Sequence, residues 1–307
     1  MGMGVMVFAP LPQLTVTVEQ LSDEPELHLH AGGQGLWQAR MITALDVPVT
    51  FCALLGKGEV GRVLVSLLEA EGLSIKTVRR QADSGWYIHE RRGDDRHVVA
   101  ENPGTPLGRH DGDELYALAL AEGLKASICV LSGAADPSLV PPDFYARLGC
   151  DLQRNGTAIA ADLTGEHLNA VLEAKPTFIK VSDEELHDDE LADKEDEVSI
   201  VKAAHVLRDR GAGAVVVSRA EKPAIALVDD DVYRVRVPEL TVRDHRGAGD
   251  SMTAGVVAVL AHGGDLKDAI RTGAAAGTLN VTRHGLGSGR SDAIAELVKL
   301  VELEPLE

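Results

Sequence analysis

The sequence predicts an α/β fold in which a mostly parallel central sheet is covered by helices on both faces and is accompanied by a smaller set of polar strands. From about residue 114 to residue 218, apolar strands alternate with amphipathic helices, which is typical of a parallel sheet between two helical layers. Two polar regions, residues 14–30 and 84–101, interrupt this rhythm with the alternating side chains of half-exposed strands. A Gly-Ala-Gly turn at residues 247–249 opens an apolar helix near the C-terminal end.

The N-terminal third is expected to contain the first core strands and the polar strands. Continuous apolar runs indicate buried strands, strict alternation indicates half-exposed strands, and apolar residues three or four apart indicate helices. The turn Gly93-Asp94-Asp95 predicts a hairpin. In chain order, the predicted elements are strands 5–8, 14–18 and 27–30, helix 35–45, strand 49–55, helix 60–71, and strands 86–91 and 96–101.

The remainder of the chain is expected to consist of strand–helix units followed by a helical end. A single domain of residues 1–307 is predicted, since this length suits one large α/β domain. An extended run at 232–242 precedes the Gly-Ala-Gly turn. The predicted elements are helices 114–121, 143–154, 166–173 and 198–210, the strands 127–131, 158–162, 177–181 and 214–218 that follow them, hairpin strands 225–228 and 232–235, and final helices 250–261, 266–281 and 291–301.

Composition excludes several classes of protein. A hydrophobic fraction of 45% excludes a disordered chain, and 30 basic against 48 acidic residues give a net charge of −18, which argues against nucleic acid or an anionic membrane as main partner. Cys52, Cys129 and Cys150 lack metal-ligand spacing, and the first two are expected to be buried thiols. With no evident signal peptide, this cysteine usage predicts a cytoplasmic protein.

The most informative segment is DHRGAGDSMTAG, residues 244–255. A turn made of Gly247, Ala248 and Gly249 at a helix start leaves backbone N–H groups free and directs the positive end of the helix dipole at a ligand. These N–H groups form a predicted anion hole. Asp250 follows, where a carboxylate could take a proton from an alcohol that attacks a phosphoryl group. The alternative is an ordinary glycine-rich helix N-terminus with Asp in its first turn.

This segment resembles the signature D-T-x-G-A-G-D-x-F-x-A-G of the PfkB-type, ribokinase-like carbohydrate kinases, and departs from it at His245 and Met252. The resemblance implies a ribokinase-like three-layer α/β/α fold, with residues 14–30 and 84–101 as the small β-sheet lid that folds over the sugar in this family. It also implies ATP-dependent phosphorylation of an alcohol with Mg²⁺. It also implies that Asp250 is the catalytic base and that the anion hole stabilises the transferring phosphoryl group. Asp244 and residues 285–288 also resemble the region that binds a monovalent cation in relatives. His245, which lies in this region, departs from the family signature.

Further matches are nearest to the 1-phosphofructokinase and tagatose-6-phosphate kinase branch. Residues 32–39, GGQGLWQA, resemble G-G-K-G-x-N-x-A, and residues 131–148 resemble S-G-S-L-P…P-P-D-F-Y-x-x-L. Residues 162–186 resemble D-x-S-G…I-K-P-N-x-x-E-L. This last match implies that Lys180 binds the nucleotide phosphates and that Glu185 holds Mg²⁺ through water. A surface lysine is the alternative interpretation of Lys180.

The nucleotide-binding segment is less similar to the family. Ser218 precedes the position of the family turn S-x-G-x-x-G, whose two glycines are replaced by Ala220 and Pro223. Alanine can substitute for glycine there only at negative φ, and proline removes an N–H group, so altered backbone geometry is expected. Gly277 and Asn280 are candidates to lie against the adenine, with tight helix packing as the open alternative.

The positions that contact the acceptor in this branch are the ones replaced. Thr15 stands in place of a sugar-binding Asp, Ser84-Gly85 in place of a phosphate-binding Thr-Arg pair, and Gln34 and Trp37 in place of Lys and Asn. Losing four contacts argues against fructose-1-phosphate-type chemistry at normal efficiency. The candidate substrate-binding residues are Thr15, Gly32, Gly33, Gln34, Trp37 and Arg246.

Three functions therefore stay open at this point. The first is a kinase for a carbohydrate or sugar phosphate. The second is a nucleoside or other polyol kinase in which Trp37 and Trp86 stack on the substrate. The third is a ligand-sensing or scaffold protein that keeps the kinase fold. The expected partner is a small-molecule substrate, and a homodimer through the lid is plausible because the lid often pairs between subunits in this family.

Overall fold

The computed structural model describes residues 4–20, 24–92, 95–193, 196–282 and 287–306. A ten-stranded sheet forms its centre, and a separate four-stranded sheet forms the lid. The helices are α1 (Gln34–Ala44), α2 (Glu59–Glu69), α3 (Arg109–Gly123), α4 (Pro142–Arg154), α5 (Gly165–Val171), α6 (Asp183–Asp188), α7 (Glu197–Asp209), α8 (Ala248–Ala261), α9 (Leu266–Asn280) and α10 (Ser291–Val298). The predicted α/β class is confirmed.

The central sheet has the strand order β14-β13-β12-β11-β10-β9-β8-β1-β4-β5. Its strands are β1 (Val5–Phe8), β4 (Val49–Gly56), β5 (Ser74–Arg80), β8 (Ile128–Ser132), β9 (Ala158–Asp162), β10 (Phe178–Ser182), β11 (Ala214–Arg219), β12 (Lys222–Val228), β13 (Asp231–Arg236) and β14 (Glu302–Leu306). Strands β11 to β5 in this order are parallel, and β12, β13 and β14 add antiparallel pairs at one edge.

Two apolar clusters form the core, one on each face of the central sheet. In β1, Val5 and Val7 belong to one cluster, and Met6 and Phe8 belong to the other. This division follows from the pleat, because successive side chains of a strand point to opposite faces. Both faces are therefore covered, as the run of four apolar residues predicts.

The lid is a four-stranded sheet of order β3-β2-β6-β7, made of β2 (Gln13–Gln20), β3 (Glu26–Gly32), β6 (Trp86–Arg92) and β7 (Asp95–Asn102). One face is apolar: Leu14 and Ala31 lie in the core, and Trp86 packs against it. The other face is polar and carries Thr15 and Tyr87, which are paired across the two central strands. The predicted turn residues 93–94 lie outside the described ranges.

The structure differs from the predicted elements in the C-terminal part. Strand β13 ends at Arg236, one residue past the predicted strand 232–235, and residues 237–242 of the predicted extended run belong to no strand. The pairing of β13 with β14 ends at Arg236 and Glu302. Pro238 follows two residues later and has no N–H group with which to continue the hydrogen bonds between the strands. A strand, β14, also follows α10, whereas the sequence predicted a helical end. Strand β5 was not predicted either.

Cys52 and Cys129 are buried free thiols, as predicted. Burial raises the pKa of the Cys52 thiol to about 12, so it stays protonated at neutral pH. No helix within the described ranges is both long and apolar enough to cross a membrane.

Helices α8 and α9 approach closely enough that glycine is required between them. An ideal Cβ on Gly255 would lie 2.7 Å from Gly273 Cα and 2.8 Å from Thr272 O. Because these atoms belong to backbone, they cannot move aside as a flexible side chain would. We expect Gly255→Val to lower the free energy of unfolding by about 1–3 kcal/mol through overpacking, measured by urea denaturation.

The matched control is Gly108→Val. Gly108 has no heavy atom within 4 Å of an ideal Cβ and has an extended backbone. Gly108 is the N-cap residue of α3, where valine is a poorer cap than glycine, so we expect a decrease in its unfolding midpoint that is smaller than the decrease for Gly255→Val. Equal losses in the two variants would contradict the assigned contact between α8 and α9.

Candidate active site

The predicted anion hole lies at the N-terminus of α8. Gly247 is the N-cap residue with φ +71°, a left-handed conformation that favours glycine. Helix α8 begins at Ala248, so the N–H groups of its first turn have no partner within the helix. Asp250 lies in this first turn and is buried. The turn, the dipole end and the carboxylate therefore lie together as the sequence predicted.

Lys180 reaches the anion hole from strand β10. An ideal Cβ on Gly249 would lie 2.7 Å from Lys180 Nζ, so the ammonium passes directly beside the turn. The side chain is buried, and the surface-lysine alternative is wrong. Burial lowers the pKa of Lys180, but the carboxylates of Asp162, Glu185 and Asp250 outweigh it and raise the pKa above its ordinary value. The site thus holds a charged ammonium beside the anion hole.

Asp162 is the centre of a buried polar network that the sequence reasoning missed. Its Oδ2 accepts hydrogen bonds from Gln38 Nε2 at 2.9 Å and from Thr253 Oγ1 at 2.8 Å. Its Oδ1 lies 3.4 Å from Lys180 Nζ. Ser132 Oγ in turn donates to Gln38 Oε1. The available signal was its position: Asp162 ends a parallel strand at the carboxyl edge, where α/β sheets bind ligands.

The ionisation of Asp250 is set mainly by its burial. Burial raises the pKa of Asp250 to about 8, and the nearby carboxylate of Asp162 acts in the same direction. Lys180 and a hydrogen bond from Gln34 oppose this increase in pKa. A carboxyl whose pKa is close to working pH can both take up and release a proton, which suits a general base.

A cavity of about 200 Å³ adjoins this network at the carboxyl edge of β8, β9 and β10. Glu185 lines it from the first turn of α6, where Ser182 N donates to Glu185 Oε2 at 2.6 Å and Glu185 N donates to Ser182 Oγ. Ser182 therefore caps the helix and orients the predicted metal-binding carboxylate. The lining residues are Gln34, Gly133, Ala134, Ala135, Pro137, Tyr145, Asp162, Leu163, Thr164, His167 and Glu185.

The predicted substrate-binding residues meet where the lid joins α1. An ideal Cβ on Gly32 would lie 2.5 Å from Thr15 Oγ1, so these two residues are in contact. Gly33 is the N-cap of α1 with φ +123°, which again requires glycine. Gln34 is the first residue of this helix, and Trp37 lies half-buried one turn later.

Arg246 lies between the anion hole and the lid. Its backbone N–H and its Nε each donate to Asp244 Oδ1 at 3.0 Å. Hydrogen bonds to Asp244 raise the pKa of Arg246, and the lid residues Glu19 and Tyr87 add to the increase. The guanidinium is therefore within electrostatic reach of the polar lid face. Of the predicted cation region, residues 285 and 286 lie outside the described ranges.

The nucleotide turn keeps a glycine-like backbone despite its substitutions. Ala220 has φ +44° and lies with Glu221 in a two-residue turn between β11 and β12, where Arg219 pairs with Lys222. Alanine therefore takes a positive φ at this position, so the condition of a negative φ for replacing glycine is not met. Pro223 lies in strand β12, outside the turn. Ser218 Oγ donates to Val181 O at 3.4 Å, at the end of the paired strands.

Gly277 and Asn280 pack against the anion hole from helix α9. An ideal Cβ on Gly277 would lie 2.9 Å from Ala248 O. Asn280 Nδ2 donates to Arg246 O at 2.7 Å, and Asn280 Oδ1 accepts from Gly287 N at 3.1 Å. The side-chain amide thus uses both of its ends within the protein, which favours the packing interpretation of these two residues.

Comparison with known proteins agrees with this geometry. The sequence model described as "pfkB family carbohydrate kinase" matches residues 8–293. The chain is 31% identical to the 1-phosphofructokinase of Haloferax volcanii over 245 residues, which cover 79% of this chain and 77% of that protein.

Two solved structures share the fold. Phosphofructokinase-2 from Escherichia coli, in complex with substrates and products, has a TM-score of 0.81 and 25% identity, with coverage of 96% of this chain and 98% of the other. Arabidopsis thaliana ribokinase, complexed with ribose and ATP, has a TM-score of 0.76 and 19% identity, with coverage of 97% and 99%. The ribokinase-like architecture predicted from the motifs is confirmed. Since the family match spans nearly all of the described sequence, the chain belongs to the PfkB family of carbohydrate kinases and is a phosphotransferase.

Proposed function

We propose that this enzyme transfers the γ-phosphoryl group of ATP to an alcohol of a carbohydrate or sugar phosphate, with Asp250 as the catalytic base. The observation that carries the proposal is the buried carboxylate of Asp250 directly behind the anion hole, with Lys180 Nζ beside Gly249. A base, an anion-binding turn and a fixed cation are the parts that phosphoryl transfer requires.

Each part has a distinct chemical task. Asp250 accepts the proton of the attacking hydroxyl group as the new P–O bond forms. The backbone N–H groups of Gly247, Ala248 and Gly249 and the ammonium of Lys180 stabilise the negative charge on the transferring phosphoryl group. Closure of the polar lid face would exclude water and so limit wasteful hydrolysis of ATP.

The residues present also fit a magnesium ion. Mg²⁺ prefers oxygen ligands, keeps several waters and binds through one or two carboxylates together with phosphate oxygens. Glu185 offers such a carboxylate in the cavity. Within the described ranges, no group of three His, Cys, Asp or Glu side chains could hold a metal by itself, so the nucleotide phosphates would supply the other ligands. The ion would neutralise phosphate charge.

We propose no monovalent cation ligand from Asp244. A structure of the Escherichia coli phosphofructokinase-2 is in complex with potassium. In this chain, however, the guanidinium and backbone N–H of Arg246 already satisfy the Asp244 carboxylate. A cation there would have to displace a partner that carries the same charge.

Arg246 is the candidate that remains for binding a phosphate group on the acceptor. Ser84 is buried and its Oγ accepts a hydrogen bond from Gly56 N at 2.9 Å, and an ideal Cβ on Gly85 would lie 2.5 Å from Pro103 O. Neither position offers a phosphate-binding side chain. Arg246, beside both the lid and the anion hole, is our proposed contact for a phosphate already present on the acceptor. Trp86 packs on the core, which disfavours its use as a stacking surface for a nucleoside.

A homodimer through the lid is part of the proposal. Strands β3 and β7 are the edges of the lid sheet, and their exposed apolar residues are Leu27, Leu29, Val98 and Val99. Exposed apolar residues on open strand edges favour pairing with another chain. A structure of the Escherichia coli phosphofructokinase-2 is a tetrameric inhibited form, so higher assemblies exist for that protein.

The decisive experiment measures ADP release with ATP and Mg²⁺ against sugars, sugar phosphates and nucleosides. We expect acceptor-dependent ADP release with a sugar or a sugar phosphate and none above background with nucleosides. Turnover confined to nucleosides would support the nucleoside kinase alternative. No turnover with any compound, despite ATP binding by calorimetry, would overturn the proposal in favour of a ligand-sensing protein.

A further inference from the structure

The carboxylate of Asp162 is bound from two helices that each carry part of the active site. Gln38 lies on α1, and its Nε2 donates to Asp162 Oδ2 at 2.9 Å. Thr253 lies on α8, the helix that carries Asp250, and its Oγ1 donates to the same oxygen at 2.8 Å. The other oxygen, Oδ1, lies 3.4 Å from Lys180 Nζ. Two donors on one oxygen thus direct the second oxygen at the ammonium.

The orientation of the Gln38 amide follows from its two partners. A carboxylate paired with an ammonium can only accept hydrogen bonds, so the Gln38 atom that faces Asp162 must be the nitrogen. The amide oxygen then faces Ser132, whose hydroxyl group donates to it. Gln38, Thr253 and Ser132 are all fully buried. Water therefore does not replace a donor that is removed from this network, and the partner of that donor is left unsatisfied.

The Lys180 ammonium needs a directional contact to stay beside the anion hole. The backbone of Lys180 is fixed opposite Asp162 in the register of β10 and β9. Its side chain, however, is a compact charge on a flexible stem, and the carboxylates of Glu185 and Asp250 also attract it. Charge alone therefore does not keep Nζ beside Gly249, whereas an oriented carboxylate at Asp162 can do so.

We propose that Gln38 and Thr253 are positioning residues, which orient the Asp162 carboxylate so that it keeps the Lys180 ammonium beside the anion hole. This inference rests on the proposed function, in which Lys180 stabilises charge on the transferring phosphoryl group. Both residues are buried inside the network and act on the reaction through Asp162. Such an arrangement fixes the cation before the substrates bind, so no reorganisation is needed during the reaction.

The first test compares Thr253→Val with Thr253→Ser. Valine keeps the shape of threonine without the hydroxyl donor, whereas serine keeps the donor and loses a methyl group. We expect kcat to fall about 10- to 100-fold in Thr253→Val, because a displacement of about 1 Å in a catalytic group has effects of this size. KM for the acceptor should change less than about twofold, since no acceptor contact is altered. Thr253→Ser should recover most of the lost kcat.

Gln38→Leu tests the second donor. Leucine fills a similar volume but cannot donate a hydrogen bond, so we expect a loss of kcat in the same range as for Thr253→Val. In a Lys180→Met background, neither substitution should lower kcat further, because both act through the ammonium that is already absent. The matched control is Gln153→Leu, at an exposed position of α4, which should keep the wild-type kcat.

Binding of ATP, measured by calorimetry with Mg²⁺ and without any acceptor, separates this inference from the proposed function. We expect Kd for ATP to increase about 3- to 10-fold in Thr253→Val and in Gln38→Leu, the effect of one weakened hydrogen bond. Most of this increase should be absent in Thr253→Ser. If the wild type binds ATP but shows no acceptor-dependent ADP release, the proposed function fails and the comparison of Kd still decides the inference. A wild type that binds no ATP would overturn both.

Three results would overturn the assignment of these positioning residues. The first is a decrease in Tm of Thr253→Val and Gln38→Leu with wild-type kcat and Kd for ATP, since the network would then be structural only. The second is an equal loss of kcat in Thr253→Ser and Thr253→Val. The third is an undiminished loss of kcat in the Lys180→Met background. If Gln38→Leu or Lys180→Met does not fold, the two Thr253 variants decide the question, because they differ in the hydroxyl donor.

Discussion

Asp250→Asn is expected to lower turnover by about 10²–10⁴-fold, which is the typical contribution of a general base. An amide has nearly the same shape as a carboxyl group but cannot accept the proton of the attacking hydroxyl. Binding of ATP, measured by calorimetry, should stay at the wild-type value because the anion hole and Lys180 are unchanged. The control is Asp113→Asn, at an exposed position of α3. Wild-type turnover in Asp250→Asn would contradict the assignment of the base.

The same substitution is expected to stabilise the protein in a defined pH range. The pKa of Asp250 is about 8 in the folded state, against an ordinary value of 3.8. Between these values the unfolded chain releases the proton and the folded chain retains it, so wild-type stability falls as pH rises from about 4 to about 8. Asparagine has no such loss. The Tm of Asp250→Asn should match that of the wild type near pH 4 and exceed it by several degrees near pH 8.

A Tm difference that does not depend on pH would contradict the raised pKa of Asp250. A Tm difference that stays constant across the pH range would mean that Asp250 ionises in the folded state as easily as in the unfolded chain. The groups that favour the ionised form of Asp250 would then fully offset the cost of burying its carboxylate, and the raised pKa would be wrong. The turnover result and the Tm result therefore test two separate properties of one residue.

Lys180→Met is expected to lower both the stability and the activity of the protein. It leaves the buried carboxylate of Asp162 without its cation, and removing one partner of a buried ion pair costs about 3–5 kcal/mol. Turnover should fall about 10²–10³-fold, comparable to the loss of one preorganised group that stabilises transition-state charge. Urea unfolding at pH 7 measures the first effect and ADP release measures the second.

Two variants serve as controls for Lys180→Met. Lys76→Met removes an exposed ammonium from the edge strand β5 and should leave both quantities unchanged. Lys180→Met combined with Asp162→Asn removes the unpaired charge as well, so it should recover part of the lost stability and none of the turnover. A double variant no more stable than Lys180→Met would show that Asp162 is not the group left unpaired.

Much of the fold could be predicted from local patterns. Strand β1 has the bounds that its four apolar residues predict, and helix α8 begins within two residues of the predicted start. The turn at Gly247 that opens this helix was also predicted, because a Gly-Ala-Gly sequence before an acidic residue and an apolar run is a contiguous feature of the sequence. Such predictions succeed since hydrophobic periodicity and turn chemistry act between residues close together in the chain.

The sequence by itself determined the α/β class, the lid regions, the turn at Gly247–Gly249 and the presence of a carboxylate behind it. Only the tertiary structure decided that Asp162, Gln38 and Thr253 meet, since Asp162 is separated from them by 124 and 91 residues. It also decided that the last described element is a strand, because β14 pairs with β13, which lies about 70 residues earlier in the chain.

The Asp162 network and strand β14 could not be predicted from the sequence for the same physical reason: both depend on contacts between residues far apart in the chain. Hydrogen bonds between distant residues depend on how parallel strands align their carboxyl ends at one edge of the sheet. No local pattern encodes that alignment, so Gln38 reads as an ordinary polar residue of a helix until Ser132 and Asp162 are packed against it. Asp250 could therefore be proposed as the base from its turn, whereas the buried network around Asp162 became visible only in the folded chain.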